Sequence, residues 1–349
     1  MISFIEPKDF SGTTTDYPVI DVRAPGEYVQ GHLSGAFNIP LYNDQERAIV
    51  GTLYVKTGRE QAVIKGLDIA LPKIDGFLSS LKKIPGSKTV LIYCWRGGLR
   101  SANMAEVFNS AGYDVRVLIG GYKAFRGFIR NELSKHRPVI ILGGYTGSGK
   151  TALLKTLAEK GEQIIDLEAL ANHKGSVFGA LGQLAQPTNE QFENEFFSKW
   201  NCLDPGRPVW MEDESRMIGR VTLPEPLVEA ISRAVMVRVN VDKLIRISHL
   251  VEEYSTFDKR LLSEAVQKIS QRIGGDRTKI AMKALEENDF HTVADVALCY
   301  YDKAYQFAVE HRKGKWIYEL SATGDNLTRD VAKIIDAGKT IIRNEYNIS

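Results

Sequence analysis

The sequence predicts an α/β protein of two domains, and three observations carry that expectation. Its 349 residues exceed the roughly 100 to 200 of a typical single domain. Short apolar, β-branched runs alternate with helical patterns, the signature of parallel sheet covered on both faces. Two glycine-bearing loops, around Cys94 and around Lys150, each leave an apolar strand and enter a helix.

In chain order, the first strands are YPVIDVR (17–23), TVLIYC (89–94) and DVRVLIGG (114–121). A helical stretch lies around Leu71–Leu81 and another starts near Ser101; GGYKAFRGFIRNELSKH (120–136) reads as a closing helix and a hinge. This places one domain at residues 1–136 and a second at 137–349. The second domain's strands are PVIILGG (138–144), QIIDLE (163–168), PVWMEDE (208–214), VMVRVNV (235–241) and WIYELSA (316–322). From Lys243 to about Lys313 the pattern is almost wholly helical, with Gly274-Gly275 as its one clear break, so a helical insertion is expected there. There is no internal repeat and no low-complexity segment.

Hydrophobic residues make up 44% and charged residues 25%, the balance of a chain that builds packed cores. The start lacks the basic and apolar regions of a secretion signal and no run of about 18 apolar residues occurs, so a cytoplasmic protein without membrane contact is expected. Three scattered cysteines, Cys94, Cys202 and Cys299, exclude a disulfide framework and a zinc cluster. A net charge of +2 does not by itself announce nucleic acid. Residues 80–137, however, hold eleven lysines and arginines against Glu106, Asp114 and Glu132. A run of that kind is either a solvated basic face or an anion and RNA surface.

Cys94 ends an apolar strand and is followed by WRGGLRS. Backbone N–H groups in a glycine-rich turn form an anion nest, the following helix adds its positive end, and Arg96 and Arg100 add full charges. Such surroundings favour a sulfur anion and welcome an oxyanionic donor, which makes Cys94 the candidate nucleophile and Arg96, Gly97, Gly98 and Arg100 its cradle. Cys202 and Cys299 have no such loop and read as structural.

Asp21-Val22-Arg23, Glu27-Tyr28, Gly31-His32-Leu33 and Gly35-Ala36-Phe37-Asn38-Ile39-Pro40 resemble the signature of rhodanese domains, and Gly120-Gly121-Tyr122 resembles their closing segment. The resemblance implies a rhodanese-like parallel sheet domain in which Asp21, Arg23 and His32 support the active loop without doing chemistry. One departure is the Cys94-x5-Arg100 spacing, longer than the C-x4-R of ordinary single-domain rhodaneses and shared with dual-specificity phosphatases.

Gly144-Tyr145-Thr146-Gly147-Ser148-Gly149-Lys150-Thr151 fits G-x4-GK[ST] between a strand and the helical ALLKTLAEK. The second domain is therefore expected to be P-loop NTPase-like α/β. The amides of Gly144, Gly147, Ser148 and Gly149 would wrap a phosphate, Lys150 would supply a point charge, and Thr151 reaches a magnesium ion or begins the helix. An acid should assist from a neighbouring strand end; Asp213, between Glu212 and Glu214, is the preferred choice, with Asp166 and Glu168 a second pair. No NKxD-type motif selects guanine, and diphosphate binding without a base fits equally.

The two domains in this order, with CWRGGLRS and GGYTGSGKT, resemble the tRNA 2-selenouridine synthases, as do Asp166-Leu167-Glu168, His173-Lys174-Gly175-Ser176, Glu214-Ser215-Arg216, Ile218-Gly219 and Arg272-Ile273-Gly274-Gly275. The resemblance implies a transferase acting on wobble 2-thiouridine, S-geranylating it with geranyl diphosphate and then exchanging sulfur for selenium from selenophosphate. It implies no tightly bound cofactor, the tRNA anticodon loop and small phosphate donors as partners, and a selenophosphate-supplying enzyme upstream. Splayed bases stack on aromatic and arginine planes. Candidate RNA contacts are Trp95, Arg96, Tyr122, Arg126, Arg272 and Arg277, with His173 and Ser176 as candidate substrate contacts. Two other readings stand beside this one: a cysteine-dependent phosphatase or sulfurtransferase fused to a kinase-like P-loop domain, and a P-loop regulator whose first domain only binds partners.

Overall fold

The computed structural model describes residues 1–312, 317–323 and 326–345, side chains through residue 344, and the chain forms two compact units, Met1–Lys135 and His136–Ser349. Lys313, at the expected end of the helical insertion, and Trp316, at the expected start of the last strand, lie outside the described residues.

The first unit is a five-stranded parallel sheet of β1 (Ile2–Ile5), β2 (Val19–Asp21), β3 (Phe37–Asn38), β4 (Thr89–Tyr93) and β5 (Asp114–Leu118), in the order β1-β5-β4-β2-β3. β4 is central and its last four residues are buried, because a parallel strand flanked by helices meets apolar neighbours on both faces. Ile20, Val22, Val90, Ile92, Met104, Phe108, Val115 and Val117 form one core around it. Cys94 is the first residue past this strand.

Sequence reasoning missed β1 and β3, each too short for a periodic signal, and the helices Asp44–Thr57 and Arg59–Ala70. A signal for the first helix exists: Asn43 accepts from the Glu46 amide while Glu46 returns to the Asn43 amide, a capping box. The helix after the cysteine loop begins at Leu99, and the closing helix is Gly121–Leu133.

Asp21 and Arg23, 0% and 1% exposed, pair by both carboxylate oxygens beneath the loop. Arg23 also donates to the Gly31 carbonyl at 2.6 Å and lies 3.9 Å from the centre of the Tyr122 ring. Asp21→Ala leaves this guanidinium buried without its counter-charge and should cost about 3 to 5 kcal/mol. Urea denaturation measures it, and a loss comparable to that of an exposed pair would show that Arg23 finds other solvation. His32 stacks on Tyr28 at 3.7 Å and bonds its carbonyl through Nδ1, a supporting role.

The second unit holds another five-stranded parallel sheet, β6 (Val139–Gly144), β7 (Gln163–Ile165), β8 (Val209–Glu212), β11 (Val235–Asn240) and β12 (Ile317–Ser321), with a small antiparallel hairpin of β9 (Met217–Ile218) and β10 (Val221–Thr222). Its order β12-β11-β6-β8-β7 puts β6 where the chain switches sides, the place at which open α/β sheets form a crevice beyond the strand ends. Both sheets are the α/β arrangement expected. The helical segment is five helices, Lys243–Tyr254, Lys259–Lys268, Ser270–Ile273, Gly275–Glu286 and Phe290–Glu310. Asp258 and Asp289 cap two further helix starts, breaks that the glycine pair alone does not signal. Among the described residues no helix is long and apolar enough to cross a membrane.

Candidate functional site

In the first unit Cys94 is 3% exposed and sits at the floor of a cleft of about 980 Å³. Its Sγ lies 3.2 Å from Ser101 Oγ, and Ser101 Oγ donates to the Gly98 carbonyl at 3.1 Å. The loop is closed from below by the second glycine motif: Tyr122 N–H donates to the Cys94 carbonyl at 2.8 Å and Lys123 N–H to that of Trp95 at 2.9 Å. Gly97 and Gly121 permit this approach. A Cβ on Gly121 would stand 2.4 Å from the Cys94 carbonyl oxygen, and both residues have positive φ.

The cradle differs from expectation in one respect. Arg100 is bound by Glu27, Nη1 to Oε2 at 2.7 Å, so its charge is largely answered within the protein. Burial raises the Glu27 carboxyl, but the Arg100 hydrogen bond and charge outweigh burial and hold it below the ordinary range. Arg96 is exposed with no carboxylate partner among the described residues and lines the cleft. Ser101, in direct contact with the sulfur, was missed as a site residue although it ends the CWRGGLRS motif.

In the second unit the loop leaving β6 enters the helix Lys150–Glu159. Lys150 Nζ turns back to the Gly144 carbonyl at 3.1 Å, and Ser148 is buried beneath the loop. The first helix of the insertion holds the outer side: Arg246 donates to the Thr146 carbonyl at 3.2 Å and pairs with both oxygens of Asp302, while His249 Nδ1 is 2.9 Å from the Gly147 carbonyl. Arg246 and His249 lie about 100 residues from the loop, and no local motif marks them.

The acids require a correction. Asp213 lines the phosphate-loop cleft, but its carboxylate takes Arg312 Nη1 at 2.9 Å and is not the acid that Thr151 meets. Asp166 caps the helix Leu167–Ala171, accepting from the Ala169 amide at 2.7 Å. Thr151 Oγ1 instead donates to Glu212 at 2.7 Å and lies 3.2 Å from Glu168. Glu168, Glu212 and Glu214 each bring a carboxylate oxygen within 4.8 Å of the others. Alternation along an extended chain sends Glu212 and Glu214 one way and Asp213 the other, a period-two signal that favours the pair over the single acid. Gly175 makes room: at φ 68° it has no Cβ, which would stand 2.9 Å from Glu168 Oε1 and 3.2 Å from Glu214 Oε1.

Burial, then the neighbouring Glu168 charge, pushes Glu212 up to about 8 from an ordinary 4.5. Burial likewise raises Glu168 and Glu214. Glu212 Oε2 is buried without a hydrogen-bond partner, so a hard divalent cation fits this oxygen set. Between about 4.5 and about 8 the fold holds a proton that the unfolded chain has released. The stability this proton gives is complete below the lower value and is lost as the pH rises through the upper one. The thermal midpoint of metal-free protein should therefore fall from pH 6 to pH 8.5, and Glu212→Gln should flatten the fall. An unchanged slope in that variant would place its origin elsewhere.

Of the other expected contacts, Trp95 is exposed in the cleft over Cys94, and Arg272 and Arg277 are exposed on the insertion. Arg272 donates to the Tyr300 hydroxyl at 2.8 Å and lines the phosphate-loop cleft, as Ser176 does, whereas Arg277 does not. Tyr122 and Arg126, 0% and 7% exposed, are packed in the closing helix and do not present a surface to RNA. His173 is buried, burial lowers its pKa, and it does not line the phosphate-loop cleft. Cys202 is exposed and Cys299 half-buried, and neither lines the clefts described here.

Comparison with known proteins agrees with both halves of the chain. A rhodanese-like domain model matches residues 8–127, and a model described as the tRNA 2-selenouridine synthase AAA domain matches residues 137–326. The tRNA 2-selenouridine synthase of Nitrosomonas europaea is 31% identical over 85% of this chain and 90% of its own length. That of Sulfurovum sp. strain NBC37-1 is 35% identical over 87% and 92%. Two glycine-rich loops in this order, each matched across its own domain, show that the chain belongs to the tRNA 2-selenouridine synthase family.

Proposed function

We propose that this chain modifies tRNA, converting wobble 2-thiouridine to 2-selenouridine through an S-geranylated intermediate made from geranyl diphosphate, with selenophosphate as selenium donor. The relatives' shared name supports the tRNA reaction. The observation that carries the geranyl step is the amphiphilic shape of the second unit's site. The phosphate-loop cleft, about 1100 Å³, adjoins an apolar pocket of about 50 Å³, room for the end of a hydrocarbon chain while the rest lies in the larger cleft; Phe178, Val251, Leu262, Phe290, Val293 and Ala297 line the pocket, and Thr146, Ser176, Leu250, Tyr254 and Tyr301 line both. A phosphate cradle beside an apolar pocket suits a prenyl diphosphate better than a nucleotide, whose base brings polar edges to an apolar wall.

The amides of residues 144–149 and Lys150 would hold the diphosphate, whose charge grows as the allylic C–O bond breaks. Thr151, Glu168, Glu212 and Glu214 would hold a magnesium ion, which when bound neutralises leaving diphosphate. The apolar pocket excludes water from the geranyl cation-like carbon while the thiocarbonyl sulfur of the base attacks it. At Cys94 the cradle would receive the anionic selenium donor. Selenium bonds to C2 of the modified base, the geranyl thiolate leaves with a proton handed over by the Cys94 thiol, and water cleaves the Se–P bond, releasing inorganic phosphate and the proton that restores the thiol. Trp95 and Arg96 at that mouth, and Arg272 and Arg277 on the insertion, are the residues offered to RNA.

The test supplies purified protein with 2-thiouridine-containing tRNA and geranyl diphosphate, then selenophosphate, and analyses nucleosides by mass spectrometry. S-geranyl-2-thiouridine should appear first and 2-selenouridine only afterwards. Formation of 2-selenouridine with no prenyl donor present would contradict the proposal.

A further inference from the structure

The cleft over Cys94 is too large and too apolar for the small anion it was expected to hold. An anion as small as selenophosphate needs little more than the turn itself, yet the cleft reaches about 980 Å³, the size of sites that enclose a whole organic ligand. Its far wall is the pair of helices Asp44–Thr57 and Arg59–Ala70, the first of which buries no residue fully. Tyr54, Val55, Leu67, Trp95 and Leu99 line it and are all exposed, Val55 at 84%. Five large apolar side chains converging on one cleft form a ligand wall and not scattered surface. Charge at its rim is one-sided: Lys56, Arg59 and Arg96 are exposed without carboxylate partners among the described residues, and no Asp or Glu lines the cleft.

We propose that this cleft binds the S-geranylated nucleotide as the substrate of the selenium step, its hydrocarbon against Tyr54, Val55 and Leu67, its base near Trp95, and its flanking phosphates toward Lys56, Arg59 and Arg96. This rests on the function proposed above and adds to it a prenyl-recognising subsite in the first unit, separate from the one that holds the prenyl donor. An anion at the rim, an apolar wall and a thiol at the floor match a nucleotide that carries a grease group on its reacting sulfur, and neither an unmodified 2-thiouridine nor a free selenophosphate uses the apolar wall. The cleft would thereby favour the intermediate over the starting nucleoside and set the order of the two steps.

Full-length protein titrated with S-geranyl-2-thiouridine 5′-monophosphate and with 2-thiouridine 5′-monophosphate, read by the tryptophan fluorescence that disappears in Trp95→Phe, tests this. The geranylated nucleotide should bind at least about tenfold more tightly, as expected from burying several methylene groups. Val55→Asp and Leu67→Asp, at exposed positions that the fold does not need, should bring the two affinities within about threefold. On tRNA these variants should still form S-geranyl-2-thiouridine and should accumulate it. Equal affinities in the wild type, or a preference that survives both substitutions, would overturn the subsite. Loss of geranylation in the variants would instead assign the cleft to the prenyl donor, also overturning it. Failure of the wild type to geranylate tRNA would strike the parent function while leaving the affinity difference readable.

Discussion

Lys150→Ala is expected to lower the rate of geranyl transfer by about 10²- to 10³-fold, the loss seen when one preorganised group facing a developing negative charge is removed. Lys150 is the cation of the loop itself, its Nζ 3.1 Å from the Gly144 carbonyl, and the acids around it make its removal worse. Glu168, Glu212 and Glu214 would then meet a diphosphate with no lysine between them. The side chain is half-buried at the start of a helix, where alanine is the best helix former, so the fold should survive. Single-turnover transfer to 2-thiouridine tRNA, with circular dichroism as the folding control, measures the effect. A rate within tenfold of wild type would detach the loop from the prenyl step.

Cys94→Ala is the second large expectation, and it acts on the other half-reaction. Only the sulfur is removed, from a side chain whose Cβ remains packed against the strand-end core, so the loss should be chemical. In a deletion strain complemented with this variant, tRNA nucleosides should contain S-geranyl-2-thiouridine and no 2-selenouridine. Alanine at Cys202 or Cys299 should leave the product unchanged, because neither lines either cleft. A chain whose first unit only docked partners would tolerate Cys94→Ala, and one built as a phosphatase would hydrolyse an aryl phosphate through Cys94. Either result would replace the present reading.

What could be read from the sequence was chemistry confined to short stretches of backbone. The Cys94 turn and the phosphate loop announce themselves because glycine spacing, a preceding apolar strand and a following helix are all local requirements. The buried Asp21–Arg23 pair belongs to the same class, being two residues apart. What stayed hidden depends on distant partners. Glu27 reaches Arg100 across 73 residues and lowers the free charge of the cradle, and Arg312 pairs with Asp213 across 99 residues and answers its charge at the edge of the phosphate-loop cleft. Strand periodicity puts Glu212 and Glu214 on one face and Asp213 on the other, a signal that the preference for Asp213 passes over. The helices Asp44–Thr57 and Arg59–Ala70 escaped for another reason: their apolar residues lie on both faces, so the one-sided pattern of an ordinary surface helix is missing. That irregularity is what a helix pair lining a ligand cleft should show.

The function proposed above makes Lys150 and Cys94 serve successive reactions joined by one isolable intermediate. Its most direct test gives each variant tRNA that already carries S-geranyl-2-thiouridine, together with selenophosphate, and follows 2-selenouridine by mass spectrometry. Lys150→Ala should convert this RNA at close to the wild-type rate while Cys94→Ala converts none. If Lys150→Ala fails on the preformed intermediate, or Cys94→Ala succeeds, the division of labour between the two loops is wrong.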